Sequence, residues 1–162
     1  MTTEQDELPS APLSMGSAEN LYNFERISDN QLSPDGQHVV YSVERIDRAT
    51  EKKYQDLWIV ATDGASEPRR FTFGDWVDTS PRWSPDGSTI AFLSNRKDGK
   101  KPQLTLIPFH GGEARPLTEL KGTIGAFEWS PDGAQIAFEF RKTDAVALER
   151  EQDKQKQELG VV

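Results

Sequence analysis

Trp83-Ser84-Pro85-Asp86-Gly87 returns as Trp129-Ser130-Pro131-Asp132-Gly133 and, with leucine in place of tryptophan, as Leu32-Ser33-Pro34-Asp35-Gly36. The copies stand 51 and 46 residues apart. Proline holds φ at about −65° and suits the second position of a type I turn. Aspartate suits the third, where its carboxylate accepts local N–H bonds. Glycine takes the next position, where φ is often positive and a Cβ would clash. Each copy therefore reads as a reversal between two antiparallel strands.

The flanks repeat too. Each turn leads into an apolar strand: Gln37–Tyr41, Ser88–Phe92 and Ala134–Phe138. Both faces of these strands carry apolar side chains, so they are expected to be covered on both sides. A third strand follows at Asp56–Val60 and again at Gln103–Ile107. A second reversal comes next, at Thr62–Glu67 and His110–Glu113, and a short fourth strand at Pro68–Thr72 and Ala114–Thr118. Four short antiparallel strands in a repeat of about 40–50 residues are the signature of a β-propeller blade.

The predicted fold is all-β: a partial β-propeller of about two and a half four-stranded blades, with a short N-terminal helix and a charged C-terminal helix. Residues 1–19 read as a disordered acidic tail and residues 20–141 as propeller. The blades fall at about 26–75, 76–120 and 121–141, the last incomplete. Residues 142–162 read as a charged helical insertion and a truncated end. Residues 142–159, KTDAVALEREQDKQKQEL, are good helix formers without Gly or Pro, and Gly160-Val161-Val162 reads as the start of another strand. A ring of roughly four to eight blades is needed for closure, so either the chain is part of a longer protein, the favoured expectation, or copies of it assemble into a ring; by itself it is expected to be marginal or aggregation-prone.

A net charge of −8 argues against nucleic-acid binding and against attraction to an anionic membrane. No apolar run approaches the roughly 18 residues of a membrane span. The absence of cysteine excludes disulfides, thiolate nucleophiles and zinc–thiolate sites. The N-terminus, MTTEQDELPSAPLSMGSAEN, has neither a basic nor an apolar leader region, so a cytoplasmic location is expected.

Several residues are candidate sites. Asp35, Asp86 and Asp132 recur, but one aspartate per turn is turn chemistry rather than a calcium loop, which needs closely spaced oxygen ligands. His38 and His110 lie beside turns, look solvent-facing and lack companions at metal-ligand spacing. Trp83 and Trp129, with Leu32 as their counterpart, read as packing between blades, and so does Trp58. Trp76, in the segment Phe73–Asp78 outside the repeat, is a candidate to face a channel or a partner domain. Arg45, Asp47, Arg48, Glu51, Lys52 and Lys53 form a polar excursion between strands, read as a long solvated hairpin or, more sharply, a lip at a substrate entrance. Arg69-Arg70 and Arg96-Lys97 read as solvated strand ends. No position is assigned a catalytic, cofactor-binding or metal-binding role, and no cofactor is expected.

The ordered series RISDNQLSPDGQHVVYSVERID, DLWIV, RRFTFG and SPRWSPDGSTIAFLSNR resembles the N-terminal propeller of the prolyl oligopeptidase family of serine peptidases. Within it, the stretches AENLYNFERISD, helix-like, and ELGVV resemble the acylaminoacyl-peptidase-like branch. The resemblance spans roughly residues 20–162. It implies a C-terminal α/β-hydrolase domain as partner in the parent chain, a Ser–Asp–His triad with serine in a G-x-S-x-G elbow, and a propeller that admits only short peptides. This chain has no G-x-S-x-G, and both histidines sit within propeller repeats, so no catalytic residue carries over. The alternative is a non-enzymatic TolB-like propeller that binds protein partners, which shares the SPDG…IAF pattern. A WD-repeat scaffold lacks its WD dipeptide here. A free-standing enzyme lacks a nucleophile–base–orienter set.

Overall fold

The computed structural model describes residues 25–97 and 101–144. They form ten strands in three antiparallel sheets. The first sheet is β1 (Arg26–Leu32), β2 (His38–Ile46), β3 (Lys53–Ala61) and β4 (Arg69–Arg70), hydrogen-bonded in chain order. The second repeats that order with β5 (Asp78–Trp83), β6 (Thr89–Ser94), β7 (Gln103–Pro108) and β8 (Arg115–Pro116). The third holds β9 (Gly122–Trp129) and β10 (Ile136–Lys142). These are two complete propeller blades and the first half of another.

The repeat extends to individual bonds. The Phe71 and Thr72 amides donate to Leu57 O, and the Leu117 and Thr118 amides donate to Leu104 O in the same way. Thr72 Oγ1 accepts from the Leu57 amide and Thr118 Oγ1 from that of Leu104. A threonine thus closes the outer edge of each complete blade, satisfying a buried amide where the two-residue fourth strand ends.

Blades pack face to face. Val40, Leu57 and Ile59 of the first meet Trp83, Ile90, Phe92 and Ile107 of the second in one core. Ala91, Leu93 and Leu104 of the second meet Ile124 and Phe127 of the third in another. β5 crosses the first sheet obliquely. It starts beside β3 at the Gln55–Val77 bridge, passes Ser42, whose hydroxyl donates to Asp78 O at 2.6 Å, and ends beside β1.

Three expectations need correction. The sequence predicts a helix through Asp29, but Arg26, Ile27 and Ser28 pair with Glu44, Val43 and Ser42 as a strand, because a tertiary partner outweighs weak local helix propensity. The rest of that helix lies outside the described residues. The C-terminal helix was read from Lys142, which instead ends β10 opposite Gly122; residues 145–162 also lie outside the described residues. Finally, only β6 is buried along nearly its whole length. On β2 one face is half-exposed, and β10 is largely exposed, with Phe138 and Phe140 at its surface. Two-sided burial needs a blade on each side, and among the described residues only the second blade has both.

Candidate functional site

The two ends of the sheets are built differently, and the first strands form a wall between them. At one end lie the three Ser-Pro-Asp-Gly turns. In each, the serine amide donates to the carbonyl five residues on, and the glycine amide donates to the serine carbonyl at 2.9 Å. The serine hydroxyl donates to the aspartate at 2.5–2.6 Å and accepts the amide that starts the next strand. The aspartate also accepts the amide two residues on. All three glycines have φ of +71° or +72°. These bonds hold the carboxyls of Asp35 and Asp132 below their ordinary value. Asp86 falls to about 2, because its Ser84 bond is joined by the amide and hydroxyl of Ser88. The aspartates are turn residues, as their sequence pattern implied.

Successive turns also touch. A Cβ on Gly87 would lie 3.7 Å from Pro34 Cδ, and one on Gly133 would lie 3.5 Å from Pro85 Cδ. The tryptophans lock the same end. Trp83 Nε1 donates to Gln31 O at 3.3 Å, and Trp129 Nε1 to Arg82 O at 3.2 Å. Trp83 is buried, whereas its counterpart Leu32 is 58% exposed, since among the described residues no sheet packs against it as the first sheet packs against Trp83. Trp58 is half-buried.

Both histidines border a crevice of about 110 Å³ at this end, together with Asp35, Trp83, Asp86 and Phe109. His110 is exposed as expected, but His38 is half-buried, its ring edge-on to Phe109 at 5.0 Å. Phe109 packs in turn against Trp83. Among the described residues, no group of three or more His, Asp or Glu is placed to hold a metal ion, and no helix is long and apolar enough to cross a membrane.

The opposite end is held by ion pairs that the sequence reading missed. Asp56 is almost fully buried. It accepts from Arg45 Nε at 3.0 Å and Arg70 Nη2 at 2.6 Å. Arg45 Nη2 reaches on to Gly74 O at 2.9 Å and Asp75 at 3.0 Å, so the cluster pins the link between the first two blades. Asp78, with no solvent exposure, accepts from Ser94 Oγ at 2.5 Å and Arg96 Nη2 at 2.7 Å. Burial pushes the Asp78 carboxyl up in spite of these partners. Arg70 and Arg96 are therefore counter-ions to buried carboxylates rather than solvated strand ends, while Arg69 is exposed and Lys97 pairs with Glu119. The available signal was a lone charge at the start of an apolar strand, as in Asp56-Leu57-Trp58-Ile59-Val60.

The polar excursion is also tighter than expected. Arg45 and Lys53 belong to strands, and Asp47 closes a compact loop in which it accepts from the Thr50 amide and hydroxyl. Arg45 turns inward, so it forms no lip. Trp76 is half-buried. Its carbonyl accepts from the Gln55 amide at 3.0 Å, and its ring lies where a side chain on Gly74 would stand. The exposed aromatic of this segment is Phe73, 67% exposed and beneath the Arg70 guanidinium.

Between the ends, the first strands touch from sheet to sheet, β1 with β5 and β5 with β9. In a propeller such strands line the central channel. Here they carry a charged seam. Arg82 Nη1 donates to both oxygens of Asp29 at 3.1 Å, and Arg82 Nε stands 3.6 Å from Glu128 Oε1. Bulges interrupt β1 between Ser28 and Asn30 and β5 between Thr79 and Arg82. Asp29 (φ 44°) and Ser80 (φ 54°) take left-handed backbone there. A bulge re-aims the side chains around it, and neither bulge was visible in the strand pattern.

The TolB beta propeller domain model matches residues 11–161. The uncharacterized peptidase YuxL of Bacillus subtilis is 36% identical over 104 residues, 64% of this chain and 15% of its own length. Dipeptidyl-peptidase 5 of Porphyromonas endodontalis is 34% identical over 114 residues, 70% of this chain and 16% of its own. The chain thus spans about a sixth of these curated relatives. Among solved structures, an acylaminoacyl peptidase of Pyrococcus horikoshii superposes with a TM-score of 0.60 at 22% identity, over 76% of this chain and 19% of that one. The similarity to peptidase propellers agrees with the resemblance read from the sequence, and the match over residues 11–161 shows that this chain belongs to the TolB beta propeller domain family.

Proposed function

We propose that this chain is the opening part of a propeller that gates a serine peptidase acting on short peptides. The observation that carries the reading is the similarity to YuxL and dipeptidyl-peptidase 5 over 64% and 70% of the chain. The charged inner wall and the rigid turn rim support it. A sieve needs a stiff aperture, and each turn here is held by at least four local bonds and stacked on its neighbour. The hydrolase domain of the parent chain would dock on one rim, and no group of this chain would take part in bond cleavage.

The test is to read the coding frame past the codon for Val162 and label the full-length product with a fluorophosphonate. A G-x-S-x-G elbow followed by Asp and His, together with labelling at that serine, supports the reading. A frame without an elbow, or a product that does not label, overturns it. The second reading, a non-enzymatic protein-binding scaffold, is favoured by the matched family model itself, which is that of the TolB propeller.

A further inference from the structure

Arg82 stands at the centre of the inner wall, and one side of its guanidinium is used up. Nη1 donates to Asp29 at 3.1 Å and to Pro81 O at 2.8 Å. The other side is not. Nε is buried without a hydrogen-bond partner, since Glu128 at 3.6 Å lies beyond bonding range. Nη2 takes part in no hydrogen bond among the described residues. The guanidinium is held 6.0 Å above the Phe127 ring. Its position is fixed from both flanks by the bulges that place Asp29 and Ser80 in left-handed backbone, a conformation that persists only where the surroundings impose it.

The Nε–Nη2 edge of an arginine is a two-donor fork that matches the two oxygens of a carboxylate. The orphaned atom is a donor, so the partner it lacks is an acceptor. The group beside it, Glu128, is 77% exposed and makes no hydrogen bond to Arg82, so solvent can receive it if it is displaced. Asp29 cannot serve, because Nη1 already engages both its oxygens.

Building on the gating reading above, we infer that Arg82 is a carboxylate-binding residue of the channel wall: a carboxylate of an entering short peptide replaces Glu128 on the Nε–Nη2 edge. Its sources are a peptide C-terminus or an acidic side chain. A cation would instead seek Glu128 and gain nothing from Arg82.

The test uses the full chain and three probes followed by calorimetric titration: trialanine as the free acid, trialanine amide, and an amidated tripeptide ending in aspartate. The free acid is expected to bind about tenfold more tightly than the amide. Glu128→Gln, which removes the competing carboxylate, should tighten the acid several-fold. Arg82→Lys, which keeps the charge but loses the fork, should erase the preference. If the aspartate peptide matches the free acid, the wall reads any carboxylate; if it matches the amide, the wall reads the C-terminus. The proposal is overturned if acid and amide bind alike, if neither binds, or if the preference survives in Arg82→Lys. Thermal unfolding of Arg82→Lys separates misfolding from lost binding, and Glu128→Gln decides the matter if that variant fails to fold. A parent protein that labels with fluorophosphonate while acid and amide bind alike sinks this inference alone.

Discussion

The two rims solve one problem, joining strands at a blade edge, by opposite means. At the turn rim each turn is closed by its own local bonds, and the same serine, aspartate and glycine make the same contacts three times. At the opposite rim the contacts are long-range and differ from blade to blade. The repeat position at the head of the third strand shows this best. In the first blade it is Asp56, which holds Arg45 and Arg70 and through Arg45 the Gly74 link. In the second it is Gln103. Its side-chain oxygen accepts from Thr118 Oγ1 and the Leu120 amide, and its nitrogen donates to Leu120 O at 3.1 Å. A charged cluster and a neutral amide do the same work of tying down the link to the next blade. Local geometry dictates residue type, whereas a tertiary contact only requires that some partner be satisfied.

Mutations can break this contrast. The largest effect is expected from Arg96→Ala, which leaves the buried Asp78 carboxylate without its cation. Losing one partner of a buried pair costs about 3 kcal/mol or more, read as a lower urea midpoint. Next comes Gly74→Ala. With φ at +117° and the Trp76 ring in the way, it should cost about 2 kcal/mol and shift Trp76 fluorescence. Smaller still are Ser33→Ala, Ser84→Ala and Ser130→Ala, each losing a hydroxyl that bridges a turn, at about 1 kcal/mol apiece. The contrast predicts that these three midpoints fall nearly together; a wide spread would show that the turns are not independent local units.

The subtlest difference is in pH. Asp86 titrates at about 2 in the folded chain against 3.8 ordinarily. Its contribution is therefore present above 3.8 and is lost as pH falls from there toward 2. Asp78 is shifted the other way, above 3.8. The fold holds that proton more tightly than the unfolded chain does, so its contribution is greatest below 3.8 and is lost as pH rises through the raised value. Urea midpoints across the acid range should show Asp86→Asn flattening the fall below 3.8, and Asp78→Asn flattening the loss just above it. Identical profiles for the two variants would contradict the opposite shifts.

The turn rim was open to reading because its information lies within six consecutive residues. Serine, proline, aspartate and glycine each have a backbone reason to stand where they do, and the alternating strands follow from them. The blade order, the tryptophan seam and the role of the three aspartates came with that reading. The ion pairs did not. Arg45 meets Asp56 across 11 residues, and Arg82 meets Asp29 across 53, distances over which no periodicity speaks. Arg70 and Arg96 looked like solvated ends because a charged residue at a strand terminus is ordinarily solvated, and only the pairing of strands within the sheet brings a carboxylate beneath each.

By itself, the sequence determined the repeating antiparallel unit, its turns and its kinship, since these rest on local φ preferences and on which side chains alternate. Tertiary structure alone decided which faces are covered, which charges are buried together and where the inner strands bulge. Those outcomes depend on what other strands, of the same sheet or the next, bring within a few ångströms. Leu32 and Trp83 share a repeat position, yet one is exposed and the other buried, because among the described residues a neighbouring sheet covers Trp83 and none covers Leu32.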